Sequence, residues 1–450
     1  MTEEKPLLIL PDWLVTSALE APKKKWGLRI LGSEITHVAS HKALLERFPE
    51  EQRVLAGNQA LLPGFVNTHT HMYGVLAHGI PLHKAPADFW GFLDDFWWPL
   101  IENGLDHQMI NAATALRCYH LIQSGVTTFY DCTEAPNALP GCLESQAEVV
   151  NRFGLRAILS FEATERMGAE NGRSGLQENA SMIKACKDRQ RIDPDYLVSG
   201  LMCHHTLFTC SPDFIREAYE LALENEVLLH AHVAEGTYEP EYALRQYGKR
   251  TLQVYDELGV AGPHFLASQC VQIDPGEVDL LAARGIRVAH MPLSNCEVGG
   301  GIAPVPDMIS KGATPGLGSD GYIDDFYEIM RGAFLIHKAA RQDPQVMPAN
   351  RVWYMATEGG ARTLALEKVG RIAEGWKADL QLVDTALPTP LEEHNFYEQM
   401  LLYRNSTHVR AVMINGKFKM EAGIIPIDDL NGLTEKVHEQ ANRLWKEARI

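Results

Sequence analysis

LLPGFVNTHTHMYG, residues 61–74, decides the fold. Within it the short apolar run Phe65–Asn67 reads as a buried strand that leads straight into His69-Thr70-His71. Residues two apart on a strand share a face, so both imidazoles aim at one point. With 18 histidines in 450 residues one such pair is expected by chance, and His230-Ala231-His232 is a second. The buried strand in front of the first pair lifts it above that background.

Outward from this stretch, seven more strand candidates alternate with amphipathic helical stretches: Thr127–Tyr130, Leu155–Ser160, Val198–Cys203, Val227–Ala231, Phe265–Ala267, Arg287–Ala289 and Thr314–Leu317. The helical stretches include Met109–Gln123, Leu143–Phe153, Pro212–Glu224, Tyr242–Leu258 and Pro275–Arg284. Eight strand–helix repeats predict an α/β protein of the (β/α)8 TIM-like barrel type, with its site at the C-terminal strand ends; a doubly wound open sheet is the alternative. Before the barrel, Leu7–Leu10, Val15–Thr16, Gly27–Leu31 and Ile35–Ala39 read as short strands; after it come Leu380–Val383, Val409–Ile414 and the turn Asn415-Gly416. The expected division is therefore a small β-sandwich built from both termini (1–62 and 366–430), the barrel (63–365) and a charged C-terminal helix (431–450), centred on Leu433–Arg449.

A hydrophobic share of 46% supports a large core, and 41 Lys+Arg against 58 Asp+Glu give a net charge of −17. That surface repels phosphate backbones and anionic lipid, so neither nucleic acid nor a membrane is an expected partner. Met1–Pro6 is charged and lacks the pattern of a signal peptide. Eight scattered cysteines without a CxxC pair read as reduced thiols, which places the protein in the cytoplasm.

Four residues make a metal set: His69, His71, His232 and Asp320. His232 ends the fifth strand candidate; Asp320, in Gly318-Ser319-Asp320-Gly321, ends the eighth and so returns beside the first. A Gly-flanked Asp is otherwise an ordinary turn residue. Three His and one Asp that leave a position for water form a catalytic rather than a closed structural site. Glu235, three residues past His232, suits proton transfer, whereas His230 lies one layer deeper and reads as a packed core residue.

These stretches together resemble the amidohydrolase superfamily, in the branch of methylthioadenosine/S-adenosylhomocysteine deaminases, triazine hydrolases and SsnA-like aminohydrolases. The matching motifs are LLPGFVNTHTHMYG (61–74), SGVTTFYD (124–131), HAHVAEG (230–236), VAHMPLSN (288–295), GIAPV (301–305), GLGSDG (316–321), ATEGGARTLAL (356–366) and GRIAEGWKADLQLVD (370–384). FWWPLIENGLD (96–106) and RSGLQENASMI (173–183) lean toward the SsnA-like members.

The resemblance implies one divalent metal per chain (zinc, alternatively iron or manganese) on His69, His71, His232 and Asp320, with Glu235 as proton shuttle. It implies hydrolytic deamination of an amino-substituted N-heterocycle by hydroxide on the metal, with Asp320 taking the first proton, in a homo-oligomer acting on a small heterocyclic substrate. The alternatives are displacement of a leaving group other than ammonia, as in triazine hydrolases, and a member that binds a metabolite without turnover. His205 and Glu102 align with substrate-contacting residues, Glu102 standing one residue further from Pro99; Asn295 occupies a place for a polar residue facing substrate. The aromatic cluster Phe89, Trp90, Phe92, Phe96, Trp97 and Trp98 is core by its spacing, and Trp97 also suits a cover over a flat ring. Relatives carry His-Cys-Val after the sixth strand, where this chain reads Gln269-Cys270-Val271. Glutamine donates a hydrogen bond to the water or oxyanion but does not titrate near neutrality.

Overall fold

The β-rich start and end of the chain meet in one hydrogen-bonded sheet. In the computed structural model, which describes residues 5–82, 84–321, 323–427 and 429–447, β1 (Leu7–Leu14), β2 (Lys23–Lys24), β3 (Trp26–Leu31), β4 (Glu34–Ser40) and β5 (Gln52–Pro63) form its N-terminal part. The sheet runs on through β15 (Leu380–Asp384), β16 (Val409–Ile414) and β17 (Lys417–Met420), in the order β17-β16-β15-β5-β1-β3-β4 with β2 on β1. β1 carries the expected Leu7–Leu10 on to Leu14, its register shifting between Pro11 and Trp13 and so accommodating a proline that cannot donate to the ladder, whereas the expected Val15–Thr16 lies past its end and is not a strand. Asn415 and Gly416 both take positive φ, the signature of the tight turn between β16 and β17.

The eight predicted buried strands all form, in two parallel arcs. β6 (Phe65–Thr70), β7 (Val126–Thr133), β8 (Arg156–Phe161) and β9 (Val198–Gly200) make one; β10 (Met202–Cys203), β11 (Leu229–Val233), β12 (Phe265–Gln269), β13 (Arg287–His290) and β14 (Gly316–Leu317) make the other. The fourth predicted strand is thus split between β9 and β10. Single bridges join the arcs at both gaps, Ala163 with His204 and Thr70 with Asp320. At the second gap the amides of Ser319 and Asp320 donate to the His69 carbonyl at 3.0 and 3.1 Å.

Helices follow the strands as expected, except that Tyr242–Leu258 breaks in two, Tyr238–Tyr247 and Thr251–Glu257. Gly248, with φ +69, caps the first of these. The C-terminal helix is Leu430–Glu447, and Trp445 fastens it by donating to the Leu76 carbonyl at 2.8 Å. Met1–Glu4 and Arg449, where the charged start and the end of that helix were expected, lie outside the described residues. Among the described residues no helix is long and apolar enough to cross a membrane.

The eight-stranded sheet and the arcs are joined at Asp379. Its carboxylate pairs with Arg156 at 2.8 Å, while its carbonyl accepts from Gly64 between β5 and β6. A Cβ on Gly64 would stand 2.2 Å from the Thr127 side chain. Gly64→Ala is therefore expected to cost about 1–3 kcal/mol by overpacking, read as a lower denaturant midpoint with an unchanged slope.

Candidate metal centre and active site

His69 and His71 meet His232 and Asp320 at the rim of the arcs. The His69 ring lies 4.8 Å from His71 and 4.9 Å from His232, centroid to centroid. Asp320 enters from the strand beside them: its two oxygens stand 4.0 Å from His69 Nε2 and 3.7 Å from His71 Nε2. Three of the turns that build this rim take left-handed backbone at non-glycine residues, Ala234, Gln269 and Asp320, which cluster where side chains must be re-aimed out of regular strand.

The chemistry of this set fits a divalent ion. His69 Nε2 is buried with no hydrogen-bond partner, a condition a ligated metal relieves. Burial pushes the His69 imidazole well below its ordinary value and His232 down to about 4, and a neutral imidazole is the form that binds a metal ion. The His71 Nδ1 lies 2.8 Å from the Cys132 carbonyl, which holds the proton there and leaves Nε2 open. Cys132 also reaches this cluster, but its thiol sits at the Nδ1 edges of His69 and His71, 3.9 and 3.7 Å away, and burial pushes its pKa well up. It is a packing neighbour of the rings. His230 is fully buried against Tyr130, with Nδ1 3.2 Å from the Cys203 thiol, outside that group.

Glu235 lines a cavity of about 40 Å³ together with His71, His232 and Asp320. Burial first, then the charges of Asp320 and Glu162, push its carboxyl well above the ordinary range. Glu239 pins the Glu235 loop by accepting from the amides of Ala234 and Leu207, and burial raises it to about 7. Glu102 and His205 line the same cavity: Tyr73 donates to Glu102 at 2.8 Å, and His205 Nδ1 lies 3.0 Å from Thr209. His204 points to Tyr255 instead.

Two expected contacts are placed differently. Gln269 is fully buried and donates its amide to Asp320 Oδ2 at 2.8 Å, so it touches the carboxylate rather than the cavity. Asn295 is buried with both amide atoms unpartnered, while its neighbours Ser294 and Val298 form the cavity wall. Trp97 does line the cavity, with Phe89, Phe92 and Leu93, from a π-helical segment, Phe92–Ile101. Phe89 rests on Gly236 and Trp90 stacks on Tyr238 at 4.1 Å, so this cover leans on the Glu235 loop. The remaining space holds little more than a water.

Sequence reasoning missed Glu134, Glu162, Arg166 and Arg117. The two glutamates directly follow the apolar runs of β7 and β8, a legible sign of a carboxyl carried to the rim. Arg117 has no such sign. It is 1% exposed and donates to the carbonyls of His71, Asp320 and Gly321 at 2.8, 3.1 and 3.1 Å. Its Nε holds Asp324 at 2.6 Å, and against the upward push of burial Arg117 and His120 keep that carboxyl below its ordinary range.

Fold and site together define a hydrolase with parallel α/β arcs and a metal set at their rim. The chain belongs to the amidohydrolase family, whose sequence pattern it matches over residues 60–419. It is 32% identical, over 91% of its length and 92% of the relative's, to the 5-methylthioadenosine/S-adenosylhomocysteine deaminase of Desulforamulus reducens. It is 31% identical, over 82% and 83%, to the 5'-deoxyadenosine deaminase of Methanothermobacter thermautotrophicus. In fold it superposes on a zinc-bound adenosine deaminase from Xanthomonas campestris with a TM-score of 0.87, 24% identity and 99% of each chain covered.

Arg117 ties the carbonyls of both loops that carry candidate metal residues to one rigid fork. Arg117→Met is expected to weaken zinc binding about 10–100-fold, the range typical of lost outer-shell support, with partial recovery in Arg117→Lys. Competition with a chromophoric chelator measures this directly.

Proposed function

We propose that the protein hydrolytically deaminates an amino-substituted N-heterocycle, from the rim of a closed (β/α)8 barrel flanked by a small β-sandwich. The two bridged gaps between the arcs support closure, and the domain division 1–62, 63–365, 366–430 and 431–450 goes with it. All eight cysteines are unpaired and seven are buried, in keeping with a reducing cytoplasm. The observation that carries the reading is Glu235: a carboxyl held well above its ordinary range on the cavity wall it shares with His71, His232 and Asp320. The curated relatives near 30% identity are named as deaminases of adenosine-like compounds, whereas the atrazine chlorohydrolase of Arthrobacter aurescens shares 19% and its fold.

His69, His71, His232 and Asp320 would hold one divalent ion, zinc by the character of the donors, and such an ion supplies Lewis acidity and an acidified water. The chain's own groups do the rest. Asp320 is fixed at both oxygens, Oδ1 by the Gly321 amide at 2.8 Å and Oδ2 by Gln269, and acts as the base toward water. Glu235 delivers its proton to the ring nitrogen and recovers one from the added hydroxyl, while the proton that Asp320 takes from water passes to the amino group, which leaves as ammonia. Gln269 orients Asp320 and takes no part in proton transfer, because an amide does not titrate. The aromatic cover stacks on the flat ring and excludes solvent.

Ammonia release from a panel of amino-heterocycles, including 5'-deoxyadenosine and methylthioadenosine, tests the reading; no release from any member overturns it. His69→Ala and Asp320→Ala are expected to lose the metal by elemental analysis. Glu235→Gln is expected to keep the metal and lose about 10²–10⁴-fold in turnover. Retained metal with activity within about threefold of the parent removes Glu235 from the mechanism.

A further inference from the structure

Glu239 does not line the cavity, yet two side chains that do so hang from it. It stands in the first turn of the helix Tyr238–Tyr247 and is 3% exposed. Its Oε1 accepts the Leu207 amide at 2.9 Å, two residues past His205, and its Oε2 accepts the Ala234 amide, one residue before Glu235. Leu207 and Ala234 lie past the ends of β10 and β11. One carboxylate therefore ties the loops of two neighbouring strands, with one oxygen for each.

The two loops have little else to fix them at these points. Ala234 takes left-handed backbone, φ +50, which a residue other than glycine keeps only where its surroundings hold it. Glu239 holds its amide, and the amides of Val271 and Gln272 hold its carbonyl at 3.1 and 2.8 Å. Glu235 then passes close to Gly300, where a Cβ would stand 2.7 Å from the Glu235 carbonyl. On the other loop the Thr209 hydroxyl takes the Thr206 amide at 3.3 Å and lies 3.0 Å from His205 Nδ1, and Leu207 is the next amide along.

Holding two amides in this way requires the ionised acid. A carboxylate accepts on both oxygens, whereas a protonated carboxyl carries a hydrogen on one of them and a glutamine presents an NH2 there. Burial works against the ionised form and raises Glu239 to about 7 although both amides pull it down, and Glu277 on the helix Pro275–Arg284 adds to the push. Glu277 is itself paired with Arg250 at 2.9 Å. The other titratable groups that interact with Glu239 are Glu235, Tyr255 and Cys270, and none of them is a cation.

Resting on the role of Glu235 in deamination, we infer that Glu239 is a positioning residue for the reaction: by holding the Ala234 and Leu207 amides together, its carboxylate fixes the Glu235 carboxyl relative to the His205 ring on the cavity wall. The competing account is a clamp that serves stability alone. The two differ in turnover and in its pH dependence. Above about 7 the clamp is whole; as pH falls through that value Glu239 gains a proton, one loop loses its acceptor and turnover falls with it.

Glu239→Gln keeps the size of the side chain and one acceptor. With zinc content at parent level it is expected to lose about 10²-fold in kcat/KM, the scale of an ångström of misplacement. The acid limb of its pH profile is expected to be one proton less steep than the parent's. Amide exchange followed by mass spectrometry needs no turnover, and it is expected to be faster than in the parent in at least one of the segments holding Ala234 and Leu207. A kcat/KM within about threefold of the parent, limbs of equal steepness, or parent-like exchange in both segments overturns the inference. A lower denaturant midpoint with parent kinetics identifies the purely structural clamp. The parent alone also decides, whether or not the variant folds: kcat/KM that stays flat from about one pH unit above the Glu239 value to about one below it overturns the inference. Where no amino-heterocycle releases ammonia the deaminase reading falls, and the exchange result by itself upholds or overturns the clamp.

Discussion

Asp320 is where the separate parts of the chain are forced into one geometry. Its amide donates to the His69 carbonyl, and its own carbonyl accepts from the Thr70 hydroxyl and from Arg117. Its carboxylate takes the Gly321 amide on one oxygen and Gln269 on the other. The first and last strands of the arcs, the helix His107–Gln123 and the end of β12 are thus tied through one residue. A residue in left-handed backbone with every polar atom engaged has little freedom to relax. That rigidity holds the side chains of His69, His71 and His232 and of Asp320 itself, from three distant stretches, on a common focus.

The second constraint is electrostatic. Buried imidazoles with lowered pKa values are good ligands and poor acids, while buried carboxyls with raised values hold protons that can be handed on. Glu102 and Glu162 are both pushed well up, by burial first and by neighbouring carboxylates after it. Such a cluster contributes little to folding, because the desolvation of each charge offsets what pairing returns. It is concentrated at one rim, where Arg166 pairs with Glu102 and Glu134.

Much of this was legible in the sequence because the periods were strong. The eight strands followed from short apolar runs separated by helical stretches, and the histidines of 61–74 followed from alternation on a strand. Glu235 was readable as a carboxyl just past a ligand. The boundaries that differed have local causes: a register shift absorbs Pro11 in β1, Gly248 ends a helix early, and the fourth strand is interrupted near Leu201. Arg117 could not be read at all. Its donors serve carbonyls 46 to more than 200 residues away, and the helix that carries it offers no sign that one arginine faces inward. Glu134 and Glu162 were visible as acids ending buried strands, yet only the assembled rim shows that Glu134 shares Arg166 with Glu102 while Glu162 faces His232.

Gln269 shows how a substitution in the sequence changes meaning once the neighbours are known. Read alone, an amide in place of an imidazole subtracts a titrating group from the reaction. In the structure the amide nitrogen sits on Asp320 Oδ2 while its carbonyl oxygen is buried without a partner. A protonated imidazole at that place would add a positive charge beside Asp320 and lower its basicity. The neutral amide makes a hydrogen bond to Asp320 without bringing that charge. In a rim already crowded with carboxyl groups, this neutral donor fixes the geometry of Asp320.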